Sequence, residues 1–348
     1  MSLLIHAGMN KTGSSSIQNY LKQHDLGAVR YMEWRTANHS ALFALLFHEP
    51  VEEYHSFRGR GETREALLRE RTVWLERVAG QLDANRDRTI VMSAEDISGP
   101  YPDAVRRMGE FFARFTSDIK VVAYVRPPIS FMQSAFQQRV ASGGLDCLNT
   151  AGLWPGYRGR FEKLDEAFGA HNVTLRRYAS DALRGGDVVL DFCDVLGVSP
   201  SGYTPVRDNS SLSLEALSLI FLQRKLGEGF VRGYRQAHES NTRFLRVLST
   251  VGRRKLAFAP ELVAPMIARN RADVAWIEER LGEPLLDVPQ EDGDLIASEA
   301  DLLAVAQDCR KELDDVLCRA VRMTQRGEDE TAIDRLAHKL DVLRQLLA

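Results

Sequence analysis

The segment that most constrains the fold is the apolar run at residues 3–7, which leads directly into a loop bracketed by Gly8 and Gly13. After Gly13, apolar residues recur at helical spacing from Ile17 onward. A short apolar run before an amphipathic helix predicts a buried parallel strand, with the loop joining strand to helix. The chain therefore begins with a strand–loop–helix unit, a building block of α/β folds.

The loop between this strand and helix carries the groups that bind anions. Lys11 lies inside it, and the hydroxyls of Thr12, Ser14, Ser15 and Ser16 follow. The free N–H groups of a helix's first turn and the positive end of its dipole favour a bound anion. The loop therefore predicts a phosphate site.

The spacing of the loop argues against a magnesium-dependent triphosphatase. Gly8 and Gly13 match the glycine positions of such a loop, but Ser14 stands where its lysine belongs. The next strongly apolar run, residues 119–125, ends in Arg126 rather than in a carboxylate that would hold magnesium. An ATP-dependent small-molecule kinase with an atypical loop stays an alternative, as does a non-catalytic nucleotide-binding protein.

The pattern G-x-x-K-[ST]-G-[ST]-[ST] after an N-terminal strand resembles the 5′-phosphosulfate loop of sulfotransferases that use 3′-phosphoadenosine 5′-phosphosulfate (PAPS). Arg126 at a strand end, with Ser134 eight residues later, resembles their 3′-phosphate site. The resemblance implies that Lys11 stabilises the leaving phosphate and that PAPS is the co-substrate, with no metal required. It implies that the donor contacts are Asn10, Lys11, Thr12, Gly13, Ser14, Ser15, Arg126 and Ser134. Arg207 would complete the donor pocket, or would instead pair with a surface carboxylate.

Residues 89–93 and 172–178 are also predicted as strands and are separated by helical patterns, which predicts a parallel sheet. With the resemblance, this implies a P-loop-like three-layer α/β fold with a mainly helical C-terminal part. We expect residues 1–200 to form the PAPS-binding core with inserted helices. Residues 201–348 would form a helical extension packed on that core rather than an independent domain.

Sulfuryl transfer also needs a general base, and three residues are candidates. Glu33 follows the first helix, where branches acting on glycans or tyrosines place a glutamate. His39 has the side-chain pKa best suited to proton transfer near neutrality. Glu95 follows the strand at residues 89–93, at the edge of the sheet where α/β folds bind ligands. The sequence leaves the choice among them open.

Composition limits the partners and the location. The net charge of −3 gives no general reason to expect nucleic-acid binding, and no apolar run approaches the ~18 residues of a membrane span. The first strand begins almost at Met1, so we expect no signal peptide and a cytoplasmic enzyme. The four cysteines form no C-x-x-C pair, which disfavours zinc.

The acceptor and the oligomeric state are less constrained. Resemblance to a bacterial, carbohydrate-type branch implies sulfation of a glycan, with a small molecule as the other option. Apolar residues at 3-4 spacing over residues 333–347 predict a helix that packs back on the chain or forms a homodimer contact.

Overall fold

The computed structural model describes residues 1–200, 202–205, 211–227, 234–287 and 294–324. The strands are β1 (Ser2–Ala7), β2 (Val29–Tyr31), β3 (Thr89–Ala94), β4 (Ile119–Val125), β5 (Val173–Arg177), β6 (Ala257–Phe258) and β7 (Leu295–Ile296). The helices are α1 (Ser14–Gln23), α2 (Ser40–Phe47), α3 (His55–Arg60), α4 (Arg64–Ala84), α5 (Pro102–Phe112), α6 (Pro128–Ser142), α7 (Tyr157–Phe168), α8 (Val188–Val195), α9 (Leu214–Leu226), α10 (Tyr234–Leu248), α11 (Pro260–Arg269), α12 (Arg271–Leu281), α13 (Glu299–Asp308) and α14 (Arg310–Thr324).

The chain forms two compact units whose segments interleave along the sequence. Unit 1 comprises Met1–Ala135, Asn149–Asn209 and Phe258–Gly293, and unit 2 comprises Phe136–Leu148, Ser210–Ala257 and Asp294–Ala348. The predicted division after residue 200 stays a prediction.

Unit 1 is built on a five-stranded sheet of order β2-β3-β1-β4-β5, in which all neighbouring strands are parallel. The predicted α/β fold with a central parallel sheet is confirmed. From β1 the chain crosses to β2 and β3 on one side, whereas β4 and β5 lie on the other side. The carboxyl ends of β1 and β4 therefore flank a topological switch point, where open α/β sheets bind ligands.

Both faces of this sheet are covered, which produces three layers. Alternate residues of one strand point to opposite faces. Leu3 and Ile5 join the core that includes residues of α2, α4, α5, α7 and α12, whereas Leu4 packs with residues of α1 and α8. Burial on both faces explains why the strands read as continuous apolar runs in the sequence.

Unit 2 is mainly helical. Helix α9 begins at Ser213, whose side chain accepts a hydrogen bond from the Ala216 N–H, and α13 packs against α9. Arg254 forms ion pairs with Glu215 and Asp294, each at 2.8 Å. None of the helices in the described ranges combines the length and the apolar character that a membrane span requires.

Candidate donor site at the sheet edge

The β1–α1 loop has a backbone conformation that few sequences accept. Gly13 has φ 73°, and Lys11 has φ 67°, which is uncommon for a residue with a side chain. Gly8 is also confined, because an added Cβ would lie 2.4 Å from the Ser14 Oγ. Thr12 closes the turn through its hydroxyl, which donates to the Met9 carbonyl at 2.6 Å. Strain of this kind often marks a ligand site.

The turn leaves a group of N–H donors without backbone partners. Among the described residues, no backbone carbonyl accepts from the N–H groups of residues 11–15, whereas the Ser16 N–H donates to the Gly13 carbonyl at 3.0 Å. The Ser14 Oγ is buried without a well-formed hydrogen bond. These donors lie at the positive end of α1 and fit an anion.

Arg126 follows β4 and contacts the loop directly. Its Nη1 donates to the Lys11 carbonyl at 2.7 Å, and its Nε donates to the Ser130 Oγ at 3.3 Å. Burial lowers the pKa of the guanidinium, as expected for a cation taken from water. The two motifs, more than a hundred residues apart in the sequence, therefore meet at the switch point between β1 and β4.

The hydroxyl that Arg126 contacts is one helical turn earlier than expected. Ser130 lies four residues after Arg126, whereas the predicted Ser134 lies a further turn along α6 and is half-buried. Contact of Ser134 with a donor phosphate stays a prediction. Ser130 was missed because the sequence search followed the eight-residue spacing of the resemblance.

The N-terminus of α6 is already occupied by a carboxylate of the protein. Asp287 accepts hydrogen bonds from the Ile129 and Ser130 N–H groups at 3.0 and 2.8 Å. This carboxylate also raises the pKa of Arg126, opposing the effect of burial. Of the two helix N-termini at the switch point, α1 is therefore the one with unpaired donors for an anion.

Glu95, the first residue after β3, faces the β1–α1 loop. Burial and the neighbouring Asp96 raise the pKa of the Glu95 carboxyl, whereas Lys11 and the nearby Ser14 hydroxyl lower it. Burial and Arg126 lower the pKa of Lys11, and Glu95 raises it. The carboxylate and the ammonium thus interact electrostatically beside the unpaired amides.

Tyr178 completes the row from β5, and the sequence analysis did not single it out. The Arg126 guanidinium lies 5.8 Å from the centroid of the Tyr178 ring. The Tyr178 hydroxyl oxygen is 3.4 Å from the position of a Cβ added to Gly13. Four adjacent strands, β3, β1, β4 and β5, therefore bring Glu95, Lys11, Arg126 and Tyr178 to one edge of the sheet.

The other two candidate bases lie elsewhere in unit 1. His39 is fully buried, its Nδ1 accepts from the Ser93 N–H at 3.1 Å, and its ring stacks on Tyr31. Glu33 is exposed, and its backbone pairs with the Gln81 side chain. Of the three candidates, Glu95 is the one whose carboxyl pKa responds to Lys11. Their roles as bases stay predictions.

Two predicted features lie outside the described residues. Arg207 falls between residues 205 and 211, and the apolar pattern of residues 333–347 falls beyond residue 324.

We expect the buried histidines to make stability depend on pH. His6 and His39 are buried, and desolvation lowers each pKa from 6.5 to about 3. The unfolded chain then binds more protons, so stability is complete above about pH 6.5 and is lost as the pH falls toward 3. Between pH 6.5 and 5, the free energy of unfolding should drop by about 3 kcal/mol for the two histidines together.

Urea denaturation at several pH values measures this effect. His39→Gln should lower stability at pH 7 but flatten its decline at lower pH, whereas the exposed His171→Gln should leave the decline unchanged. If the free energy of unfolding had the same pH dependence in wild type and His39→Gln, the assignment of this pH dependence to His39 would be wrong.

The comparisons with known proteins can now be set beside this geometry. Neither a protein-family model nor a curated protein matches the chain. Among solved structures, one similar to it is the sulfotransferase from Alicyclobacillus acidocaldarius, with 16% identity, a TM-score of 0.47 and coverage of 82% of this chain and 97% of that chain. Another is the sulfotransferase domain from the curacin biosynthetic pathway, with 16% identity, a TM-score of 0.34 and coverage of 65% and 78%. The chemistry of the site is argued below from its own residues.

Proposed function

We propose that the chain is a sulfotransferase that moves a sulfuryl group from PAPS to a hydroxyl or amine of an acceptor. The observation that carries the proposal is the 2.7 Å contact between the Arg126 Nη1 and the Lys11 carbonyl. It puts a guanidinium from β4 beside the unpaired amides of the β1–α1 loop. A donor with two separate phosphate groups offers one anion to each of them.

The residues present fit such a donor. The N–H groups of residues 11–15 and the orphaned Ser14 Oγ would hold the 5′-phosphate and sulfuryl group. Gly8 keeps the strand end free of a side chain that would fill this space. Arg126 and Tyr178 would lie on the 3′-phosphate side, with Ser130 and Ser134 as the hydroxyls on α6.

The reaction needs charge stabilisation and a proton acceptor. As the acceptor oxygen forms its bond to sulfur, the bond from sulfur to the bridging phosphate oxygen breaks and its electron pair stays on the phosphate. Lys11 would stabilise that developing charge. Glu95, deprotonated and beside Lys11, would take the proton of the acceptor hydroxyl.

A carbohydrate is the acceptor class that we propose. Four aromatic residues, Tyr31, Trp34, Trp154 and Tyr157, are candidates for stacking on sugar rings, and three of them already have structural partners. The Trp154 Nε1 donates to Asp273 at 2.7 Å, the buried Tyr157 donates to the Arg126 carbonyl at 2.7 Å, and Tyr31 bonds to the Ala37 carbonyl. The fourth, Trp34, lines an open cavity with its indole.

Calorimetry with adenosine 3′,5′-bisphosphate, AMP and ATP–Mg²⁺ tests the donor assignment. We expect adenosine 3′,5′-bisphosphate to bind more tightly than AMP, and Arg126→Ala to weaken the bisphosphate by about 30-fold while AMP changes little. The reason is that a charge-assisted contact to a phosphate contributes about 2 kcal/mol. Arg177→Ala is the matched control, because Arg177 also ends a strand but is paired with Asp181 and Glu283.

The same titrations separate this proposal from the kinase alternative. Tight binding of ATP–Mg²⁺ with no gain from a 3′-phosphate would reject the sulfotransferase assignment. A non-catalytic binding protein would instead bind the bisphosphate but release none of it from PAPS in the presence of a glycan panel.

A further inference from the structure

Two open cavities of about 740 and 510 Å³ lie beside the edge strand β2. Both include Glu33 and Trp34, so they adjoin, and we call them together the β2 groove. The residues of the first are Glu33, Trp34, Arg35, Trp74, Arg77, Gly80, Gln81, Ala84 and Asn85. The residues of the second are Leu21, Lys22, Gln23, His24, Asp25, Val29, Arg30, Tyr31, Met32, Glu33, Trp34 and Thr36.

The groove has an aromatic platform with arginines on it. The indole of Trp34 packs edge-on against that of Trp74, with ring centroids 4.4 Å apart. Arg35 lies 5.1 Å from the Trp34 centroid, and Arg77 lies 4.9 Å from the Trp74 centroid. Trp74 is buried, so the partly exposed Trp34 is the indole that offers flat apolar surface, and guanidinium groups bind sulfates and carboxylates through paired N–H donors.

The charge of the groove differs from that of the whole chain. Four of its side chains are cationic and two are acidic, whereas the chain carries a net charge of −3. Arg35 pairs with Glu70, but in the described part of the chain neither Arg30 nor Arg77 forms an ion pair. Unpaired cations around an apolar platform favour an anionic ligand.

A short stretch of chain joins the groove to the proposed base. The segment after Trp34 leads to Ser40, whose Oγ accepts a hydrogen bond at 3.2 Å from the N–H of Asp96, the residue after Glu95. The six peptide units from Trp34 to Ser40 span at most about 22 Å. A ligand of several sugar rings that starts at Trp34 therefore has the length to reach the neighbourhood of Glu95.

We infer that the β2 groove binds an extended anionic oligosaccharide and so sets the acceptor class. The inference rests on the proposed function, because the groove is assigned as an acceptor subsite of the same enzyme. The proposed ligand is a polyanionic chain that carries sulfate or carboxylate groups. A protein strand added to the free edge of β2 is the competing occupant.

The test is titration of the full chain with a heparin hexasaccharide and, separately, with neutral maltohexaose. Binding is monitored by tryptophan fluorescence. Saturating adenosine 3′,5′-bisphosphate is present throughout, so the anion site at Lys11 and Arg126 is blocked. We expect the hexasaccharide to bind and maltohexaose to bind at least tenfold more weakly. Trp34→Ala and Arg77→Glu should each weaken the hexasaccharide by about tenfold.

Arg106→Glu is the control, because Arg106 is an exposed arginine on α5, outside the groove. Thermal unfolding checks that each variant is folded, and Arg77 is exposed, so its replacement should leave the fold intact. Equal binding of the two sugars, or no loss in Arg77→Glu relative to Arg106→Glu, would overturn the inference. If the bisphosphate itself fails to bind, the proposed function fails instead, so the two failures are distinguishable.

Discussion

Replacement of Lys11 by glycine should lower the rate of transfer by at least about 100-fold while the protein stays folded. The loss of one preorganised donor to a developing charge has an effect of about 10²–10³-fold on kcat. Binding of the bisphosphate product should fall much less, because the amides of residues 11–15 and Arg126 remain. The measurement compares kcat, followed as release of adenosine 3′,5′-bisphosphate from PAPS, with the calorimetric affinity for that product.

Glycine is the informative replacement at this position because of the backbone. Lys11 has φ 67°, a conformation that costs alanine roughly 1 kcal/mol but that glycine adopts freely. Lysine and alanine both bear this backbone cost and glycine does not, so a loss of rate in Lys11→Gly reflects the missing ammonium and not added strain. A Lys11→Gly enzyme that keeps most of its rate would show that the lysine has no part in charge stabilisation.

The parts of the fold that the sequence predicted are those that depend on local patterns. Strands β1, β3 and β4 are buried on both faces, so each is a nearly continuous apolar run that can be recognised alone. The β1–α1 loop and Arg126 follow such runs directly. Their approach could be anticipated because parallel strands end at a common edge.

The elements that were missed lack a readable local pattern. Strand β2 has only three residues, and α2 is apolar on nearly every side because it is buried between other elements. The sequence pattern over residues 260–281 favours a single helix, but the structure has two, since Asn270 leaves the helical conformation between α11 and α12. Likewise α13 and α14 are separated at Cys309.

Within the site, the sequence could list titratable residues but not their surroundings. His39 has a suitable intrinsic pKa, but its burial depends on the packing of Tyr31 and on β3, which no local pattern encodes. Asp287 caps α6 from a position 158 residues from Ile129, a contact without any sequence signal. The interaction of Glu95 with Lys11 exists only in the folded chain, so the sequence could not favour Glu95 over the other two candidates.

Replacement of Glu95 by glutamine should reduce the transfer rate by about 10²–10⁴-fold, the range for loss of a general base. Glu33→Gln should keep the wild-type kcat at saturating acceptor, because Glu33 is exposed and lies apart from the donor site; since Glu33 lines the β2 groove, any effect should fall on the acceptor KM. Glutamine preserves the size of the side chain and removes its charge. The acceptor hydroxyl would then have no positioned group to take its proton.

The pH profile distinguishes a base from a residue that only positions Lys11. The Glu95 pKa is raised by burial and by Asp96 and lowered by Lys11, so the rate should fall on the acid side as Glu95 is protonated. Asp96→Asn removes a negative neighbour, which should shift this acid limb to lower pH, whereas Lys11→Gly should shift it to higher pH. If Glu95 merely held Lys11 in place, the acid limb due to Glu95 would be absent from Lys11→Gly rather than displaced to higher pH. Profiles of kcat against pH for the three variants therefore decide whether the proton of the acceptor passes to Glu95.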